Sequence, residues 1–418
     1  MSHPDTTSYW QATYPIAPLG QALPAEVDLA VVGGGVLGAA TAYFAACGGA
    51  RVALLEQKGV AWGASGRNGG FITEGAALSY TSAIKRFGRD TARAIWQVTC
   101  ENRALARQII GEERLDCWYR EAGNLKFSLS ESELAEDTAN VAAMEADGFG
   151  AEMLTRAQTQ ALVGTALGPM IRGARYASYA GLVHSTRLVG GLAAAAQTRG
   201  AALVEASVTR IEHGKVTTTA GAIKAGAVVI AANAWISQLV PDTRDIILPV
   251  RGQALSYAPT APVFGPGMGA AVTPTGEYWQ QTLDGSIVIG GARAVRPDKD
   301  VGALRHDTTD DVQQGIEAVL PALFPALPPL QVTRRWAGPM AFTPDYVPLA
   351  DHAPGEPNIW FAGGFCGHGM PFGLIFGKLL AQAALGGDVH QLARFGWAGL
   401  VDVGKVGQVG CDQVWSGG

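Results

Sequence analysis

Apolar residues in this chain fall into two kinds of run, and their order predicts the architecture. Uninterrupted runs of strand length stand at 27–32, 51–56, 201–206, 227–233 and 358–362. Ala-rich segments at 36–47 and from Ser185 onward have the composition of buried helices, and Gly48, Gly49 and Gly200 stop them. Strand, tight turn, helix and strand thus follow one another at 27–56, and the α/β signature returns at 181–211. Other stretches alternate instead. Residues 251–257, 278–282 and 286–290 read as β-strands with a turn at Asp284 and Gly285, and 208–212 with 216–220 read as a hairpin turning at His213 and Gly214. From 79 to about 158 the pattern is charged and helical, with Ile95, Ile109 and Ile110 on one face, then Leu134, Val141 and Met144, and a strand-like piece at 121–130. An amphipathic helix is expected at 307–320, followed by a stiff connector carrying Pro321, Pro325, Pro328 and Pro329. The first two dozen residues, with four prolines and the aromatic group Tyr9, Trp10 and Tyr14, read as an extended arm across the body with no chemistry of its own.

The turn after the first strand reads Gly33-x-Gly35-x-x-Gly38, with Val36 and Leu37 opening the helix. Each glycine has a mechanical reason: Gly33 for the sharp turn, Gly35 for the approach of a pyrophosphate, Gly38 for close packing of helix on strand. Phosphates at such a helix N-terminus meet free amides and the positive end of the dipole. Glu56, followed by Gln57, ends the next strand where a carboxylate accepts from an adenosine ribose and repels a 2′-phosphate. The unit therefore binds a dinucleotide, FAD or NAD rather than NADP. Residues 59–70 form a second glycine-rich stretch in which Trp62, Ser65, Arg67, Asn68, Gly69 and Gly70 offer an aromatic face, a hydroxyl, a cation, an amide and open backbone for phosphate or ring heteroatoms. The closing glycine of Gly-x-Ser-x-Gly is missing, so this is not a nucleophile elbow.

Composition narrows the class. The chain has 418 residues, 48% of them hydrophobic, and a formal net charge of −5 without a basic block, so nucleic acid has no electrostatic footprint here. No secretory leader pattern and no apolar stretch of membrane-spanning length is read in the sequence, so a cytoplasmic protein is expected. Five cysteines, Cys47, Cys100, Cys117, Cys366 and Cys411, stand in no Cys-x-x-Cys spacing, and the seven histidines have no ligand spacing, so neither a disulfide frame nor a metal site is expected. Near the end, 363–373 reads Gly-Gly-Phe-Cys-Gly-His-Gly-Met-Pro-Phe-Gly and opens a helix. Its N-terminal amides suit the negative charge of a reduced flavin.

Together the first glycine turn, the Glu56 strand end and Trp-Gly-Ala-Ser-Gly-Arg-Asn-Gly-Gly at 62–70 resemble the FAD-dependent amine and amino-acid oxidases of the D-amino acid oxidase (DAO) superfamily, above all its bacterial gamma-glutamylputrescine oxidase-like branch. The resemblance implies an α/β (α+β) fold. It consists of a Rossmann-like FAD-binding domain of the glutathione-reductase/DAO type (25–85, 155–235 and 335–392) and a substrate domain on a mostly antiparallel β-sheet plus helices (86–154 and 236–334), with an arm at 1–24 and a tail at 393–418. It further implies that FAD is the cofactor, with Val208 against the adenine, Ala232 near the nucleotide, and Gly363, Gly364, Gly367, His368, Gly369 and Met370 at the flavin edge. His368, Tyr278 and Trp336 are the catalytic candidates; Tyr257, Gln280 and Phe365 are the pocket candidates. Three departures from sarcosine-oxidase-like members matter. No cysteine stands near Pro339, which implies non-covalent FAD; Pro371 replaces the carboxylate-gripping lysine; Val288 replaces the oxygen-activating lysine. The implied reaction oxidises the C–N bond of a small-molecule amine, or of an amino acid gripped otherwise, to an imine that water hydrolyses, with O2 reoxidising the flavin to give H2O2. The alternative is a D-amino-acid dehydrogenase using another acceptor. A flavin protein with a structural or RNA-modifying role is disfavoured by the acidic charge.

Overall fold

The computed structural model describes residues 6–16, 18–212 and 214–397; residues 1–5, Ala17, the expected turn residue His213, and the tail from 398 with Cys411 lie outside it. Two eight-stranded sheets carry the fold. In the first, Glu26–Val32 sits between Gly221–Ile230 and Val52–Glu56, parallel to both. Ala202–Glu205 extends one side in parallel, Glu356–Gly363 the other, and Leu349–Ala353 closes that edge antiparallel. The expected hairpin forms as Val208–Glu212 and Lys215–Thr218 and pairs onto Gly221–Ile230. Both faces of the central strand are buried, which is why it reads as a continuous apolar run: Leu29 and Val31 pack with the helices Val36–Cys47, Ser185–Thr198 and Gly369–Ala384, while Ala30 and Val32 enter the opposite core.

The second sheet runs in the order Val332–Phe342, Leu248–Tyr257, Ile287–Gly290, Glu277–Gln281, Gly267–Ala270, Asn124–Ser128, Gly173–Ala177, Glu152–Thr155. Its pairings are antiparallel except that of Gly267–Ala270 with Asn124–Ser128. The amphipathic helix Asp310–Leu323 covers one face through Val312, Ile316, Val319 and Leu320.

Strand membership departs from the expected intervals. Gly173–Ala177 and most of Val332–Phe342 lie within segments assigned to the first domain, yet both pair in the second sheet. The helix Arg89–Glu112, expected in the second domain, sends Ala92, Ile95, Trp96 and Ile109 into the core shared with Gly369–Ala384. Local periodicity carries the type of an element but not the sheet that accepts it. The arm also differs: a Ser8/Gln11 capping box starts a short helix, Tyr9–Thr13, that buries Tyr9 and Trp10. No helix among the described residues is long and apolar enough to cross a membrane, and none of their His, Cys, Asp and Glu groups is arranged to hold a metal ion.

Candidate active site

The first glycine turn has the geometry its sequence predicts. Gly33 lies at φ +110° with its amide on the Leu55 carbonyl at 2.8 Å, and a Cβ there would meet the Ala231 carbonyl oxygen at 2.6 Å. A Cβ on Gly38 would stand 1.8 Å from the Gly33 carbonyl oxygen, so the helix lies this close to the turn only because Gly38 has no side chain. Gly35 caps the helix without a side-chain bond, and Ser65 Oγ accepts from the Val36 amide at 2.9 Å, tying the second motif to the first. Glu56 accepts from the Gly34 amide (2.7 Å) and the Lys58 amide (2.8 Å). Next to it, the Glu56 carbonyl accepts from Ala206 and the Gln57 side chain meets Ser207 Oγ at 3.4 Å, so the strand that begins at Val208 borders the same rim. Ala232 is half-buried beside Gly33.

Ala64–Gly66 forms a 3-10 turn, and the residues after it correct the expectation of free donors. Arg67 is buried, and its guanidinium bonds to the carbonyls of Trp62 (2.8 Å), Ala337 (2.9 Å) and Thr6. A buried guanidinium satisfied by main-chain oxygens is a tie between arm, motif and sheet rather than a phosphate ligand. Asn68 is likewise turned on its own loop, donating to Ala64 and Ser65 and accepting from Gly70 at 2.7 Å. Trp62 meets the His306 ring in a tilted contact at 4.4 Å, with the Arg67 cation 5.1 Å from its own ring. A cavity of about 210 Å3 against this motif is lined by Thr6, Gln11, Gly59, Trp62, Arg67 and Thr186.

Strand parity sorts the sheet candidates. Tyr278 and Gln280 face the second motif: a Cβ on Gly69 would stand 2.7 Å from the Tyr278 ring, and Gln280 Nε2 donates to the Gly69 and Gly70 carbonyls, the latter at 3.2 Å. Tyr257 points the other way, into the core under Asp310–Leu323, and is no pocket residue. Trp336 is fully buried with its indole N–H on the Arg67 carbonyl at 2.9 Å, packed with Tyr9, Trp10, Ala254 and Val288. It supports the motif from below and is too enclosed to meet a substrate. Burial pushes the Tyr278 phenol up to about 12, so at neutral pH it is a donor and not a base.

The flavin-edge loop turns through three left-handed residues, Gly364 (φ +71°), Cys366 (+50°) and Gly367 (+81°), between the strand ending at Gly363 and the helix Gly369–Ala384. His368 caps that helix without a side-chain cap bond; its Nδ1 lies 3.1 Å from the Cys366 carbonyl, and burial lowers its pKa, keeping the imidazole neutral. The first-turn amides after it, from Gly369 and Met370, have no acceptor inside the helix. Phe365 packs on that helix against Phe372 and Phe376 and bridges to Phe342. Asn102, fully buried on Arg89–Glu112, fixes the helix start: its amide donates to the Met370 carbonyl at 3.0 Å and its oxygen accepts from Leu374 and Ile375.

Comparison with known proteins decides the family. The model of the FAD dependent oxidoreductase family DAO matches residues 28–383. The chain belongs to this family. The gamma-glutamylputrescine oxidoreductase of Escherichia coli is 27% identical over 93% of this chain and 91% of its own, and the glycine oxidase of Pseudomonas aeruginosa is 28% identical over 85% and 94%. Among solved structures, the glycine oxidase of Bacillus cereus superposes with a TM-score of 0.75 at 22% identity, covering 88% of this chain and 97% of that one. DAO membership implies FAD, and the chain's own residues fit it: glycine turns in which a Cβ on Gly33, Gly38, Gly66 or Gly70 would collide with backbone, a carboxylate at the strand end, and two helix N-termini facing the turns. Sequence reasoning missed Asn102 and Trp10, each a bulky or polar residue in a core position.

Proposed function

We propose that this enzyme oxidises the C–N bond of an amine or amino acid to an imine, with non-covalently held FAD and O2 as the acceptor. The observation that carries the reading is the meeting of two surfaces: the Tyr278 and Gln280 face of the second sheet lies over Gly69 and Gly70, while the helix Gly369–Ala384, which the neutral His368 caps, packs against the strand Phe71–Ile72 that directly follows them. Bound there, FAD would supply the two-electron acceptor for hydride leaving the carbon next to nitrogen. The chain's residues then need only bind, orient and desolvate the substrate. Apolar and aromatic walls favour the neutral amine, whose lone pair assists hydride loss. The helix amides stabilise negative charge at the flavin edge without a cationic histidine.

Two features support the finer points. The thiol nearest the loop, Cys366, is buried, shares bonds with Thr343 and Gly364, and is pushed up to about 12, so it is a poor nucleophile for a covalent flavin link. Cys47, Cys100, Cys117 and Cys366 are free thiols, in keeping with a cytoplasmic enzyme. The dehydrogenase reading keeps one observation: Val288, at the oxygen-activating position, is fully buried among Tyr9, Trp10 and Trp336.

The test is the visible spectrum of the purified holoenzyme, recorded anaerobically with polyamine derivatives, N-methylated amines and amino acids, and again after admitting air. Bleaching by one class with return in air and peroxide formation is expected; bleaching without return would assign the dehydrogenase. Acid precipitation should leave all flavin in the supernatant, and flavin in the pellet would refute non-covalent binding.

A further inference from the structure

A cavity of about 370 Å3 opens where the strand Glu277–Gln281 runs into its turn, away from the glycine motif that Tyr278 and Gln280 face. Leu162, Val163, Pro262, Val263, Phe264 and Leu283 give it apolar walls, and Arg120 is the one charged residue lining it. Its floor is knitted by a single side chain. Buried Gln281 accepts from the Val263 and Phe264 amides at 2.8 and 3.1 Å and donates to the carbonyls of Thr260, Ala261 and Gly285. At the rim Leu283 is 60% exposed, the most exposed of the large apolar side chains described, so the mouth is apolar as well as the walls.

Arg120 is half-buried, and its guanidinium reaches only main-chain oxygens, the carbonyl of Gln281 and, at a long 3.5 Å, that of Gly265. The acids beside it are committed elsewhere. Glu121 is bonded by Arg107 and Tyr119, and Asp284, on the turn at the rim, is held by Tyr9, Thr282 and the Ser286 amide. Desolvation lowers the Arg120 pKa, and no neighbouring charge offsets it. A guanidinium is a planar fork of five donors, which a carboxylate meets through two parallel bonds. One cation in an otherwise apolar cavity selects a ligand with a single negative charge and an apolar body, because the walls cannot solvate the second charge of a dianion.

Three connections run from this cavity to the second glycine motif. Arg120 Nη2 holds the Gln281 carbonyl, and the neighbouring Gln280 side chain donates to the Gly69 and Gly70 carbonyls. The Arg120 amide and carbonyl bond to Leu182 at 3.0 and 2.9 Å, and Leu182 pairs with Phe71, next to Gly70. The rim turn accepts from Tyr9 through Asp284 at 2.7 Å, and Trp10 beside it donates to the Asn68 carbonyl at 2.6 Å. We propose that this cavity is a second ligand site, apart from the cofactor, for a small carboxylate with an apolar body, and that its occupant is an effector. A carboxylate that takes the Arg120 donors from the Gln281 carbonyl loosens the strand that steadies Gly69 and Gly70, and with it the hold on FAD.

Hexanoate titrated into the FAD-loaded enzyme by calorimetry tests the site, with hexanol as the uncharged control and inorganic phosphate as the control without an apolar body. Hexanoate should bind, and both controls should bind about 10-fold more weakly or worse. Arg120→Gln should weaken hexanoate about 10- to 100-fold, the worth of a charge-assisted pair, and Arg120→Lys should restore part of the loss. Leu283→Glu, at an exposed turn position, should also weaken hexanoate by placing a negative charge at the mouth, and it tests the site even where Arg120→Gln does not fold. Saturating hexanoate should raise the FAD dissociation constant of wild type by about 5-fold or more and leave that of Arg120→Gln unchanged. Failure of wild type to bind hexanoate, equal binding by Arg120→Gln and Leu283→Glu, or phosphate bound as tightly would overturn the site. An FAD dissociation constant indifferent to hexanoate would overturn the effector role. None of these measurements uses turnover, so the site stands or falls apart from the reaction proposed above.

Discussion

Removing the Trp10 side chain tests whether the arm is part of the cofactor site. Trp10 is fully buried, meets Tyr9 and His184 edge-on at 5.0 Å each, and packs with Ala254, Val288 and Trp336. Its indole N–H donates to the Asn68 carbonyl at 2.6 Å, inside the second glycine motif. Trp10→Ala therefore opens a cavity and orphans that carbonyl; the cavity costs about 3–5 kcal/mol and the unsatisfied oxygen about 1–3 kcal/mol. Trp10→Phe keeps most of the volume and isolates the second effect. Urea unfolding with and without FAD, together with FAD affinity from fluorescence, separates the two. Trp10→Ala should lose several kcal/mol and bind FAD more weakly, with Trp10→Phe between it and wild type. A change below about 1 kcal/mol in Trp10→Ala, with FAD affinity unaltered, would show that the arm only lies on the surface.

Asn102→Leu should lower FAD affinity as well as stability, by about 2–4 kcal/mol, because it leaves the Met370 carbonyl and the Leu374 and Ile375 amides without their partner; unchanged FAD binding would place Asn102 outside the site's support. His184 is buried among rings, and desolvation, reinforced by Arg187, lowers its pKa from the ordinary 6.5 to about 4. The unfolded chain then binds more protons than the folded one between these values, so stability rises with pH across that window and is lost as pH falls through it. His184→Asn, which keeps an acceptor for the Arg187 amide that His184 now caps at 3.3 Å, should flatten this slope in urea titrations between pH 4 and 6.5.

The parts of this protein legible in the sequence are those in which function and backbone conformation coincide. At Gly33 and Gly38 the chemistry requires the absence of a Cβ, so the residue type itself reports the geometry, and a substituted turn would collide at 2.6 and 1.8 Å. The same holds for the left-handed glycines of the flavin-edge loop. Side chains that act through direction are illegible for the opposite reason. Tyr257 and Tyr278 are both tyrosines on strands of one sheet, yet one faces the covering helix and the other the glycine motif, because parity along a strand is set by the partner surface and not by the residue. Arg67 and Arg293 make the point for charge. Arg67 is buried and Arg293 half-buried, and only the three-dimensional inventory separates the one whose donors end on carbonyls of Trp62, Thr6 and Ala337 from the one that lies against the Phe342 ring and reaches the Lys299 carbonyl.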